Sequence, residues 1–358
     1  MKNMFHKKVF YFVAITLLLS GILAGCAKDK ETSGEPAANS APETAADTKG
    51  TESEFEGDGL NEATVIHVGT QPGIPIWELN KQKQFIEKEF ARDNVKIEYK
   101  EFTYGPPIIE AIGAGEIDIS MTGDLPVFTG VANGIGVSGI YRVANDDQGY
   151  GILAFPESGI KTASDLKGKK VAVPVGSAGH NFLAQLLASA DLSISDIELV
   201  NLGAGDIPAA LSNGDVDAAA LWESSLSTIA AKIGSDIPIT SEGVYVSLSL
   251  VIARNDFAEE NPELTARFLK AVKETEEYTI ANPDEVVDIL AEATGNPKEA
   301  WKTVPRLELT GYFDDSAWSS AEKAKQFLLE NDLIENDFDV KSIYTDKYLA
   351  EADRLAEE

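Results

Sequence analysis

Ala111, Gly115, Glu116, Ile117 and Asp118 return later in the chain as Ala210, Gly214, Asp215, Val216 and Asp217, at a constant offset of 99 residues. The same offset sets Gly123-Asp124 against Trp222-Glu223. Each copy reads as a helix, a glycine that stops it, a short apolar strand and a polar segment at the strand's carboxyl end. An ordered repeat of this kind predicts two similar α/β lobes, and 358 residues give room for both. Ligands of open α/β sheets sit outside the carboxyl ends of the strands. Two lobes presenting those ends to one another would form a cleft.

The body begins near Thr64. Residues 65–69 read as a strand ended by the turn Thr70-Gln71-Pro72-Gly73; Leu79, Ile86 and Phe90 suggest one helix, and residues 95–99 a second strand. Pro106 and Pro107 suit the first turn of a helix that buries Ile108, Ile109 and Ile112. Ile117, Ile119 and Met121 form a strand running into Thr122-Gly123-Asp124-Leu125-Pro126, where Asp124 reads as a helix cap and Pro126 sits just inside the next helix. Alternating strands and helices predict two mostly parallel sheets flanked by helices. The polar, glycine-containing stretches 142–151 and 241–249 are candidate crossings between lobes, and the pattern after Asn261 is helical. The expected organisation is residues 62–148 in lobe 1, 149–246 in lobe 2, and 247–358 returning to lobe 1.

Within the second lobe, Val171, Val173 and Val175 alternate as a strand, Gly176-Ser177-Ala178-Gly179 breaks the pattern, and Phe182, Leu183, Leu186 and Leu187 recur at helical spacing. A strand entering a helix through small residues leaves first-turn N–H groups uncovered. Orphan donors and the helix dipole together favour an anion there. Ser177 could equally cap its own helix.

Residues 1–26 are not read as fold. Lys2, Lys7 and Lys8 precede an apolar run over residues 9–19, too short for a membrane span, and Leu23-Ala24-Gly25 leads to Cys26, the sole cysteine. Residues 1–25 thus resemble a bacterial lipoprotein signal, with Cys26 as the lipid-bearing first residue of the mature chain. Residues 26–61 hold almost nothing large and apolar and read as a flexible tether. A soluble body on a lipid anchor at the extracytoplasmic face of the cell membrane follows. With the one cysteine so used, disulfides, zinc-cysteine sites and thiol nucleophiles drop out. The formal net charge of −29 makes a nucleic-acid partner a poor fit.

Tyr104-Gly105-Pro106-Pro107-Ile108-Ile109-Glu110-Ala111, Gly115-Glu116-Ile117-Asp118 and Gly123-Asp124-Leu125-Pro126 resemble segments of the aliphatic-sulfonate-binding proteins of ABC importers. That group sits within the nitrate/sulfonate/taurine-binding family of bacterial solute-binding lipoproteins and periplasmic proteins. Asp165-Leu166-Lys167-Gly168-Lys169-Lys170-Val171, Gly176-Ser177-Ala178-Gly179-His180 and Gly214-Asp215-Val216-Asp217-Ala218 with Trp222 fit the same family, in the same order along the chain. The resemblance implies a two-lobed, periplasmic-binding-protein-like (type II) fold with a two-strand hinge, closing on a small anion and docking on an ABC permease. It also implies a sulfonate head at the helix end Ser177-Ala178-Gly179-His180, with Gln71, Gly123, Asp124, Trp222 and Glu223 lining the cleft. Gly179 stands where relatives often carry alanine or something bulkier, and Pro72 and Gly73 follow Gln71, which would reshape the pocket for a different tail.

His180 and His67 are isolated in the mature chain, so no metal site is expected, and no cofactor. His180 could pack in the helix's first turn or donate to the anion; Trp222 could be core or stack on an apolar tail. Glu223 could meet a cationic part of the ligand or fix a neighbouring donor. Ser177 fails the nucleophile-elbow pattern because Val175 occupies the first glycine position, which weakens a secreted serine hydrolase. A related thiamine-pyrimidine synthase would want thiol chemistry that the mature chain lacks. The expectation is a monomeric, non-enzymatic carrier of an alkanesulfonate, with taurine, nitrate, an aromatic carboxylate or a pyrimidine vitamin precursor as alternative ligands on the same fold.

Overall fold

The computed structural model describes residues 64–143, 148–306 and 311–357; the expected signal, Cys26 and the tether lie outside them. Four strands open the chain: β1 (Thr64–Thr70), β2 (Val95–Glu101), β3 (Ile119–Thr122) and β4 (Val137–Arg142). A second set follows: β5 (Tyr150–Ala154), β6 (Lys170–Val173), β7 (Glu198–Asn201), β8 (Ala218–Trp222) and β9 (Asp236–Thr240), with β10 (Leu250–Arg254) last. They form two five-stranded sheets, ordered β2-β1-β3-β10-β4 and β7-β6-β8-β5-β9. In each sheet the fourth strand runs against its neighbours: β10 is antiparallel to β3 and β4, and β5 to β8 and β9. The offset of 99 reappears in space, because β3 with β4 maps onto β8 with β9.

Helices α1 (Pro75–Lys83), α2 (Phe85–Glu89), α3 (Gly105–Gly113) and α4 (Asp124–Ala132) belong with the first sheet, and α5 (Ala178–Ala188), α6 (Ile207–Asn213) and α7 (Ser225–Ile233) with the second. The chain then runs through α8 (Asn255–Glu260), α9 (Pro262–Ala281), α10 (Pro283–Thr294), α11 (Asp315–Glu330) and α12 (Lys347–Ala356). Strand alternation decides which helix covers which face. Val171 and Val173 pack with Phe182 and Leu183 of α5, whereas Ala172 between them faces Ile207 and Leu211 of α6. In the first sheet, Ile66, Val68 and Ile119 meet Trp77, Phe268 and Leu349, and the opposite face, through Leu250 and Ile252, meets Ile108, Phe128 and Leu328. Each such side chain, fully buried, contributes roughly 1.5–3 kcal/mol.

Two local expectations change. The single helix through Leu79, Ile86 and Phe90 is broken at Gln84, which adopts a left-handed conformation (φ 58°) and donates its N–H to Asn80 O. The Asn80 carboxamide oxygen accepts from Ile86 N–H, so a side chain of α1 caps the start of α2. Asp124 is not the cap of α4 either: Gly123 holds the extended cap position, and Asp124 is the first helical residue with its carboxylate turned elsewhere.

Candidate functional site

Strand β6 ends at Val173, and the chain reaches α5 through Gly176, whose φ of +81° only glycine adopts readily. Ser177 is extended and caps the helix through its carbonyl, which accepts from His180 and Asn181 N–H at 3.0 and 3.4 Å. Its side chain makes no capping bond. The Ser177 Oγ is buried, in a residue 3% exposed, with no partner among the described residues. The N–H groups of Ala178 and Gly179 likewise have no backbone acceptor there. Three donors at one helix end thus lack acceptors, although buried polar groups are normally paired. At Gly179 an added Cβ would make only ordinary contacts, 3.4 Å from Ala220 O and 3.6 Å from the Trp222 ring, so the helix end lies beside β8 without needing a glycine there.

Ser177 and Ala178 line a small cavity together with Gln71, Thr122, Gly123 and Trp222 among others, whereas Gly179 is not among its lining residues. Ile74, Met121, Tyr150, Trp222 and Ser249 are shared with an adjoining, larger cavity whose walls include Ile76, Val143, Ile280 and Glu223. A small end that carries the unpaired donors therefore opens into a larger, mainly apolar chamber. Gln71 is oriented by donating its amide to Met121 O at 3.0 Å. Both walls are needed: Gln71, Thr122 and Gly123 come from the first-sheet half, Ser177, Ala178 and Trp222 from the second.

The remaining expected residues stand around this space in different roles. Asp124 is fully buried behind Gly123; its Oδ2 accepts from Asn181 Nδ2 at 2.8 Å and Tyr245 OH at 3.1 Å, and its Oδ1 from Leu125 N–H at 2.8 Å. Burial pushes its pKa up to about 6 in spite of those donors. Glu223 accepts from the Ser227 N–H and hydroxyl and pairs with Lys302 Nζ at 3.1 Å. It fixes neighbouring donors while lining the larger chamber. His180 is not among the lining residues. Its Nδ1 accepts from Gly176 N–H at 3.3 Å and its ring stands edge-on to Phe327, centroids 5.2 Å apart. Desolvation lowers its pKa to about 4, which keeps the imidazole neutral. With Nδ1 engaged by a backbone amide, it offers Ser177 no general base.

Sequence reasoning did not single out Thr122, Tyr150, Asn181, Tyr245, Ser249 or Lys302. Tyr245 and Ser249 lie in the stretch 241–249 recognised as a crossing, and Thr122 closes a recognised strand; those were the available signals. Lys302 had none, because its partner lies far away in sequence.

Residues 87–286 match the family model described as NMT1/THI5 like. The chain is 29% identical over 290 residues to a Bacillus subtilis protein named for binding aliphatic sulfonates, covering 80% of this chain and 87% of that one. A similarly named Escherichia coli protein is 32% identical over 234 residues, 65% of this chain and 72% of the other. The crystal structure of the periplasmic aliphatic sulphonate binding protein SsuA from Escherichia coli shares the fold with a TM-score of 0.68 at 28% identity, over 80% of this chain and 100% of that one. The chain belongs to the NMT1/THI5-like family, in its periplasmic-binding-protein form.

Proposed function

We propose that this protein captures an alkanesulfonate in the cleft between its two sheets and delivers it to an ABC permease, held at the outer face of the cell membrane by a lipid on Cys26. The observation that carries the ligand reading is the set of orphan donors, Ser177 Oγ with the Ala178 and Gly179 amides, opening on an apolar chamber. A tetrahedral anionic head satisfies those donors at a helix end that favours negative charge. A hydrocarbon tail then fills the space beside Trp222, Tyr150 and Met121. The names of the matched relatives support the same ligand class. Gln71 and Gly123 stand on one side of the head, Ser177, Ala178 and Gly179 on the other, so the ligand ties the halves together and favours closure. Binding without turnover is the expected chemistry.

A thermal-shift screen followed by calorimetry tests this. Straight-chain sulfonates are expected to raise the melting temperature, because a ligand that binds only the folded state stabilises it. Shifts from nitrate, an aromatic carboxylate or pyrimidines with none from sulfonates would overturn the ligand assignment.

A further inference from the structure

Two helix N-termini converge at the smaller cavity. The Cβ that Gly123 lacks would lie 2.6 Å from Ala178 Cβ, so the first turns of α4 and α5 touch. Each end carries roughly half a unit of positive charge. Into this junction the fold buries a complete carboxylate, Asp124, held by Asn181, Tyr245 and the Leu125 amide, all of them neutral donors. No Lys, Arg or His lines either cavity among the described residues. The head end therefore offers well-directed donors and very little net positive potential.

We infer, building on the sulfonate reading above, that Asp124 is a specificity-determining residue: its buried carboxylate offsets the converging helix ends, so the cleft accepts a singly charged tetrahedral head and rejects a doubly charged head of the same shape. A sulfonate brings one negative charge. A phosphate monoester brings close to two above its second ionisation near pH 6. The second charge meets Asp124 with no cationic side chain to balance it. Like charges several ångströms apart at an effective dielectric near 20 change a dissociation constant at least about tenfold. Burial raises the Asp124 pKa to about 6, so at pH 8 its carboxylate is ionised.

Calorimetry at pH 8 on the purified chain, comparing hexane-1-sulfonate with hexyl phosphate, tests the inference with the tail held constant. Wild type is expected to prefer the sulfonate strongly. In Asp124→Asn and Asp124→Ser, checked for cooperative melting, the ratio of the two dissociation constants is expected to shrink at least about tenfold. A residue that only braces the fold would weaken both ligands alike and leave that ratio unchanged, and a folded variant behaving so overturns the inference. If neither variant folds, wild type decides: equal binding of the two ligands overturns the inference, and rejection of the phosphate upholds it. Wild type binding neither ligand would instead remove the sulfonate reading on which the inference rests.

Discussion

At the scale of single residues, Ser177 and Asp124 hold opposite kinds of unfinished business. The Ser177 hydroxyl is buried without a partner, and such a group costs about 1–3 kcal/mol until something bonds it. Ser177→Ala is therefore expected to leave the unliganded melting temperature unchanged or raised, while sulfonate affinity falls about 10- to 100-fold by calorimetry. Asp124 is fully bonded yet desolvated, and its folded pKa of about 6 lies above the ordinary carboxylate value. The folded chain then holds that proton more firmly than the unfolded one. The stabilisation this gives is complete below about pH 4 and is lost as pH rises through 6. Asp124→Asn removes this dependence, so the melting temperature of the variant minus that of wild type is expected to climb between pH 4 and 7. The strand, the glycine turn and the helix end around Ser177 were legible in sequence because period-2 and helical patterns meet there. The inward turn of Asp124 was not, because its partners Asn181 and Tyr245 are 57 and 121 residues away.

At the scale of elements, the repeat carried the most information. It places β3 and β8 at equivalent positions; Leu250 stands opposite Thr122, and Tyr150 stands opposite Trp222, one residue beyond the offset. Both pairs mark where an antiparallel strand meets the carboxyl end that lines the cleft. The antiparallel insertions themselves were hidden, since β5 and β10 look like any apolar strand and only their partners reveal direction. The break at Gln84 was hidden for a similar reason: it depends on the Asn80 side chain bridging two turns, not on a glycine or proline. Convergence of α4 and α5 gives a further test. Gly123→Ala adds a methyl 2.6 Å from Ala178 Cβ and must push the two helix ends apart. Its sulfonate affinity is expected to fall at least about tenfold with little change in melting temperature, because the clash opens the cleft rather than the core.

At the scale of the whole molecule, ties across the cleft among the described residues include Asn181 and Tyr245 to Asp124, the Ser224 hydroxyl to Gly73 O at 3.1 Å, and Lys302 to Glu223. Glu223 is 4% exposed at its side chain and Lys302 44%, so removing the lysine leaves a buried carboxylate without its cation. Lys302→Ala is expected to speed ligand dissociation about 3- to 10-fold in stopped-flow displacement, with smaller effect on association. Cys26→Ala is expected to release the protein from the membrane fraction into the medium or periplasm, and retention in the membrane fraction would refute the anchor. The placing of β10 between β3 and β4 bears on how such a chain is made. Neither β3 nor β4 bonds the other, so the first sheet stays in two pieces until residues 250–254 have been synthesised and inserted. Completion of the first sheet is therefore a late event, whereas the second sheet draws on no strand beyond Thr240 and can close before it.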